Sequence, residues 1–471
     1  MTRLLIILTL TLTLSACTVG PDYERPETTT PDQYRFTIEA NPEHNDILWW
    51  QQFNDPRLNQ LIEEALVNNL DTRIAAQRVE VFAAQLGITR AEAFPQVGYA
   101  ANAGYDQIST EIGAGKTPGV DRRSAFYNAS LQASWEIDLW GRIRRATEAA
   151  QADLLAAEEN RRAIILSLVA SVARTYINLR ALDEQLEIAR NSLTLRADSL
   201  KLFERQQAEG IISKLEVAQL RSEFERTAAT IPAIERNIAQ LENALSVLLG
   251  RQPGPITRGA PLEQLAPPLL PANLPADLLE QRPDLRAAEQ NAIAANARIG
   301  VAKAAYYPRI SLTGALGVAS DQLENLPTSG AVLYQIAAGL TGPIFTAGAI
   351  EAGVDAAEAE QQIAIQTYFQ TLLIALQEAE DALVTHTTTQ QEAQSLTRQV
   401  AALENYANLA SKRYDNGYAS YIEVLDAERD LFDARLRLTE LNANQLTTII
   451  NIYQAFGGSW LQTATKLAEQ D

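Results

Sequence analysis

One cysteine, two histidines and one methionine serve a chain of 471 residues. A single cysteine closes no disulfide framework, and so few soft donors leave almost nothing for a His/Cys metal site. Positive charge is also short. Thirty-nine Lys and Arg against fifty-eight Asp and Glu give a net charge of −19, a poor match for a phosphate backbone. No nucleophile–base set or phosphate loop accompanies the acids, so an enzyme is the least favoured class and no cofactor is expected. With 46% hydrophobic residues the chain is neither disordered nor a bundle of membrane helices. At roughly 150 residues per domain it would make about three globular domains.

The lone cysteine is explained by its position. Arg3 precedes the apolar run Leu4–Leu8, and Leu14-Ser15-Ala16-Cys17 follows. Residues 1–16 read as a signal peptide too short to remain as a spanning helix. Leu-Ser-Ala-Cys resembles a bacterial lipobox, which implies that Cys17 becomes the acylated first residue of the mature chain. An ordinary signal with an incidental cysteine is the alternative. Thr18, where retention at the inner membrane commonly has Asp, implies sorting to the outer membrane. Acyl chains at about 0.8 kcal/mol per buried CH₂ would anchor residues 17–47 as a lipid-tethered tail.

The chain repeats itself. Asn69-Leu-Asp71-Thr-Arg73, Gly87 and Phe94-Pro95-Gln-Val97 recur as Arg282-Pro-Asp284-Leu-Arg286, Gly300 and Tyr307-Pro308-Arg-Ile310. Gly210-Ile-Ile-Ser213-Lys-Leu-Glu216-Val217 recurs as Gly417-Tyr-Ala-Ser420-Tyr-Ile-Glu423-Val424. Two units of about 200 residues follow, 48–250 and 284–457. A connector over 251–283 holds eight of the nineteen prolines, and 458–471 reads as a C-terminal tail. The extra residues of the first copy fall around Gly113–Gly119.

Each unit reads helix, two strands, very long helix, turn, helix. Period-two alternation marks strands at about 96–106, 126–138, 309–319 and 332–342. In the second of these Tyr127, Ala129, Leu131, Ala133, Trp135 and Ile137 alternate with Asn128, Ser130, Gln132, Ser134 and Glu136. One apolar and one polar face over about ten residues suit a transmembrane barrel with a wet interior, although a soluble half-buried sheet alternates in the same way. Tyr and Trp near the strand ends of a secreted lipoprotein favour the barrel. Four strands cannot close one, and an open edge in hydrocarbon leaves N–H and C=O groups unpaired. Two chains would give eight strands around a filled lumen; three give twelve around water. A homotrimer fits a conduit better.

Neither 142–209 nor 354–416 contains Gly or Pro. Long helices are expected at about 139–209 and 345–416, each near ~100 Å at 1.5 Å per residue. Ile165, Val172, Leu179, Leu186, Leu193 and Leu200 recur every seven residues, with Leu168, Leu182 and Phe203 at companion positions. That period means coiled-coil packing. Partners are expected at about 71–92, 213–250, 284–305 and 420–457. The fold class is mainly α with a membrane β-barrel portion: a tube entering the outer membrane and hanging into the periplasm.

Specific motifs extend this reading. Val19-Gly20-Pro21-Asp22-Tyr23-Glu24-Arg25-Pro26, Trp50…Phe53…Asp55-Pro56…Leu58…Leu61, Gln281-Arg282-Pro283-Asp284-Leu285 and Tyr453-Gln-Ala-Phe-Gly457-Gly458-Ser-Trp460 span nearly the whole chain. Together they resemble outer-membrane factors of the TolC type, in the lipoprotein branch that includes OprM. The resemblance implies a trimeric twelve-stranded barrel on an α-helical periplasmic tunnel. It implies the exit duct of a tripartite efflux pump, passing small molecules such as drugs and toxic compounds. Its partners would be outer-membrane lipid, a periplasmic adaptor and an inner-membrane transporter of the proton-driven RND type.

Function in such a duct concentrates at its narrowest point. The turns at Gly210 and Gly417 are expected at the periplasmic tip. By motif position the resemblance carries ring carboxylates onto Asp426 and Glu423, with Glu216 at the matching position of the first copy and a linking tyrosine at Tyr414. The linking arginine of the TolC pattern falls on Ala419, which leaves Arg413 as the nearby substitute. Glu216 and Glu423 also read as capping-box acids, each three residues after a serine at the helix start. Asp426 lies beyond either cap. His44 falls in the tail, and His386 in a helix where packing or solvation is expected. Two other readings remain: the exit duct of a type I protein-secretion system, and a periplasmic adaptor or structural coiled-coil lipoprotein.

Overall fold

The computed structural model describes residues 18–28, 34–36, 48–109, 111, 123–270, 281–458 and 460–469. Cys17, the signal peptide, His44 and the expected loop around Gly113–Gly119 lie outside them. Along the chain run α1 (Pro56–Asn68), α2 (Leu70–Ala91), β1 (Gln96–Gln107), β2 (Arg123–Ile137), α3 (Arg142–Ala208) and α4 (Lys214–Leu248). Then follow α5 (Pro283–Ala304), β3 (Arg309–Ser320), β4 (Val332–Thr341), α6 (Ala349–Asp415), α7 (Tyr421–Phe456) and α8 (Trp460–Leu467). Both long helices have 67 residues. The expected C-terminal tail therefore carries a short helix, α8, too brief to announce itself by periodicity.

Two compact units share the chain. One gathers the N-terminal residues through Glu27, Arg78–Ala157 and Ala287–Tyr368; the other gathers Thr28–Gln77, Glu158–Arg286 and Phe369–Asp471. Each takes pieces from both repeats.

The first unit contains one antiparallel sheet in the order β1-β2-β3-β4. Its register sets like residues opposite like. Tyr99, Leu131, Leu316 and Tyr334 form one rung, and Ala101, Ala129, Val318 and Val332 the rung two residues along. Between them lie Ala100, Ser130, Gly317 and Leu333, and beyond these Asn102 donates from Nδ2 to Asn128 Oδ1 at 3.0 Å. Because successive side chains alternate faces, one face is predominantly apolar and the other mostly small or polar. The apolar side chains are bare: Tyr99 is 86% exposed and Ile336 87%. Among the described residues β1 and β4 each pair on one side only.

At the helical end of this sheet Trp140 stacks on Tyr307 at 4.6 Å and donates from Nε1 to the Pro308 carbonyl at 2.8 Å. The Val19–Pro26 signature is strapped beside them. Val19 N–H donates to the Trp140 carbonyl at 3.1 Å, Arg145 pairs with Asp22 at 2.7 Å, and Arg25 with Glu289 at 3.1 Å. Gly20, at φ +103°, meets Gly300 so closely that a Cβ would come within 2.5 Å of the Gly300 Cα. Glycine at both positions is what permits the strap. Burial, then the charge of Glu289, pushes the Tyr23 phenol up to about 12.

In the second unit the Trp50–Leu61 motif is core. Trp49 stacks on Tyr453 at 5.3 Å and meets Trp460 edge-on at 6.0 Å. Asp55, fully buried, caps α1 by accepting from Arg57 N–H at 2.8 Å, and also accepts from the Tyr176 hydroxyl at 2.7 Å and Ala260 N–H at 3.1 Å. A buried carboxylate is tolerable only with such partners. Arg282 grips Asp284 through two nitrogens at 3.0 and 2.7 Å and reaches Glu378 at 2.7 Å. Burial alone would raise the Asp284 carboxyl, but Arg282 outweighs it and holds it below the ordinary value.

Candidate functional site

Both interhelical turns lie in the second unit and are built alike. Gly210 N–H donates to the Gln207 carbonyl and Ile211 N–H to Gln206; Gly417 N–H donates to Tyr414 and Tyr418 N–H to Arg413. These paired bonds make a Schellman ending, with its glycine at φ +74° in the first turn and +75° in the second. A Cβ at either glycine would meet nothing within 4 Å, so the backbone conformation alone selects the residue.

The caps that follow differ. Ser213 and Glu216 form a complete capping box: Glu216 N–H donates to Ser213 Oγ at 3.3 Å, and Ser213 N–H to Glu216 Oε2 at 2.8 Å. The second box, expected at Ser420 and Glu423, does not form. Ser420 accepts from Ile422 N–H at 3.5 Å, while Glu423 turns to Arg413 at 3.1 Å. Arg413, which also reaches the Tyr418 carbonyl at 3.4 Å, holds the Glu423 carboxylate in place of the helix start. Lys412 and Arg413 occupy the last turn of α6, where the helix dipole favours positive charge.

Asp426 is half-exposed and pairs with Arg429 at 2.9 Å, while Arg429 also reaches Asp430 at 3.3 Å. Tyr414 lies between Phe203, at 6.1 Å, and Tyr421, at 5.0 Å. Burial raises its phenol, and the nearby charges of Glu216 and Asp415 add to this. Glu216, Tyr414, Arg413 and Glu423 thus share one neighbourhood at the two turns. Asp426 sits farther along α7, and Ala419 in the second turn.

Sequence reasoning missed what fastens the helices here. Phe203 and Tyr421 pack at 4.2 Å in an apolar cluster with Val217, Leu220, Ala410 and Val424, joining α3, α4, α6 and α7. One step back, Arg196 is buried, donates to the Glu223 carbonyl at 2.9 Å and its carboxylate at 3.0 Å, and lies 5.5 Å over the Phe432 ring. Burial raises the neighbouring Glu428 carboxyl, against the pull of Arg196. One signal was readable. Arg196 falls seven residues before Phe203, at a companion position of the heptad seam where an apolar residue is the rule. His386 is half-buried, its Nδ1 3.1 Å from the Thr448 hydroxyl, and burial lowers its imidazole below the usual value. Among the described residues no cluster of His, Cys, Asp and Glu could hold a metal.

The profile of the "Outer membrane efflux protein" family matches residues 61–251 and again 274–458. The chain belongs to that family. It is 35% identical over 462 residues to the solvent efflux pump outer membrane protein SrpC of Pseudomonas putida, covering 95% of this chain and 97% of that one. It is 34% identical over 465 residues to the probable outer membrane lipoprotein SilC of Salmonella typhimurium, covering 98% and 99%. The open-state Neisseria gonorrhoeae MtrE outer membrane channel superposes with a TM-score of 0.85 at 31% identity, over 94% of this chain and 99% of that one. These are outer-membrane channels of the TolC type, a family of ducts and not of enzymes. As an outer membrane efflux protein, the chain resides in the outer membrane and serves export.

Proposed function

We propose that three copies close a twelve-stranded barrel and that the duct so formed is the exit of a tripartite efflux pump for small organic molecules. The open sheet carries this reading. Its rungs run unbroken across all four strands, and both edge strands pair on one side only. An edge of that kind cannot face hydrocarbon, and two copies would leave a lumen filled with side chains. SrpC is a solvent efflux pump protein, which supports small apolar substrates here. The partners are then a periplasmic adaptor and an inner-membrane transporter of the RND type. Acylation at Cys17 would place lipid one residue from Thr18, whose side chain lies against Gly141 at the junction of β2 and α3.

In this reading the aperture is acidic. Threefold repetition makes rings of Asp426 and Glu423, with Glu216 close by. Carboxylates around a narrow opening concentrate cations and repel anions. Native mass measurement of the full chain in lipid nanodiscs tests the assembly: a trimer is expected, and a monomer or dimer overturns the barrel. Bilayer recordings in a salt gradient test the aperture. Asp426→Ala is expected to weaken cation selectivity, and an unchanged reversal potential would remove Asp426 from the opening.

A further inference from the structure

A cavity of about 450 Å³ lies in the second unit, between the Pro-rich connector, α6 and α7. That is within the roughly 300–1,000 Å³ of small-molecule sites. Its floor is apolar and buried: Leu262, Leu265, Leu446 and Ile449. Its rim is polar and lacks positive charge. Glu263, His386 and Gln390 stand on it, and among the described lining residues none is a lysine or arginine.

His386 meets a threonine hydroxyl on its inner side. The Thr448 hydroxyl lies 2.8 Å from the Gln445 carbonyl, to which it can donate, and 3.1 Å from His386 Nδ1. With that hydroxyl turned to Gln445, Nδ1 carries the proton and Nε2 keeps its lone pair. Burial lowers the imidazole below its ordinary value and so favours the neutral ring. The carboxylate of Glu263 adds negative charge, felt as far as Glu184, whose carboxyl is raised by burial and then by Glu263. A guest must bring an apolar body, N–H donors and positive charge.

We propose that this cavity binds amphipathic organic ammonium ions, the apolar body on Leu262, Leu446 and Ile449 and the ammonium at the Glu263 carboxylate, with His386 on the same lining. The site is separate from the aperture acids and does not depend on the duct's substrate. A charge-assisted contact to a carboxylate is stronger than one between neutral groups, so Glu263 contributes most of the preference for cations.

The test uses the full-length protein in lipid nanodiscs, with 1-naphthylmethylammonium as fluorescent probe and empty discs subtracted. Saturable binding below millimolar concentration is expected, with 1-naphthylacetate at least about tenfold weaker. Glu263→Gln, on the exposed rim, is expected to weaken the amine about tenfold with unchanged melting temperature. His386→Phe is expected to weaken it less. Absence of saturation, equal binding of amine and acid, or an unaffected Glu263→Gln variant would each overturn the assignment, the last two showing that the probe reads only apolar surface.

Discussion

At the scale of single residues, two glutamates at matching positions of a duplicated chain do different work. Glu216 satisfies a helix start, whereas Glu423 pairs with a half-exposed arginine. Glu216→Ala should therefore cost about 1 kcal/mol through the lost cap. Glu423→Ala should cost less than about 1 kcal/mol, as exposed ion pairs do. Thermal melts of both variants check the difference, and equal losses would show that the caps are equivalent in solution. Glu428 carries a second expectation. Its folded carboxyl titrates above the unfolded one, so the folded state binds more protons between those two values, and stability falls as pH rises through that window. Glu428→Gln should raise the melting temperature at pH 7 and lose that advantage as pH falls towards the ordinary carboxylate range. A variant less stable at pH 7 would mean that attraction to Arg196 outweighs the burial.

At the scale of elements, the helices and strands were nearly all legible because each announces itself locally. Absence of Gly and Pro marks the two long helices to within a few residues, and period two marks all four strands. What stayed hidden depends on residues far apart in sequence. No local pattern joins Trp49 to Tyr453 and Trp460, and none says that Arg413, and not the Ser420 N–H, takes the Glu423 carboxylate. Ser213 and Ser420 sit in the same spacing, yet a tertiary cation decides between their glutamates. The aromatic contact at 4.2 Å between Phe203 and Tyr421 ties α3 to α7 in the same way. Phe203→Ala should cost about 3–5 kcal/mol if the site stays rigid. It should also raise the resting conductance of the duct, measured in planar bilayers. A destabilised variant of unchanged conductance would confine Phe203 to packing.

For the whole molecule, anchor and barrel can be separated. Cys17→Ser should abolish acylation, read by mass, while the trimer still forms, because the four strands find their register in one another. Loss of all folded trimer would make the lipid a structural element.

The pairing of β2 with β3 also sets a clock. Ile137 finds Ile310 opposite it, yet about 170 residues of helix and connector are made between them. At about 5–20 residues per second, on the order of 10–30 s pass after the first hairpin emerges before its neighbour exists. A two-stranded hairpin is marginal alone, and this one carries bare Tyr99, Tyr105 and Leu131. Through that interval an exposed hairpin is an aggregation hazard, and an escort would have to hold β1 and β2 apart from other chains until the second half arrives.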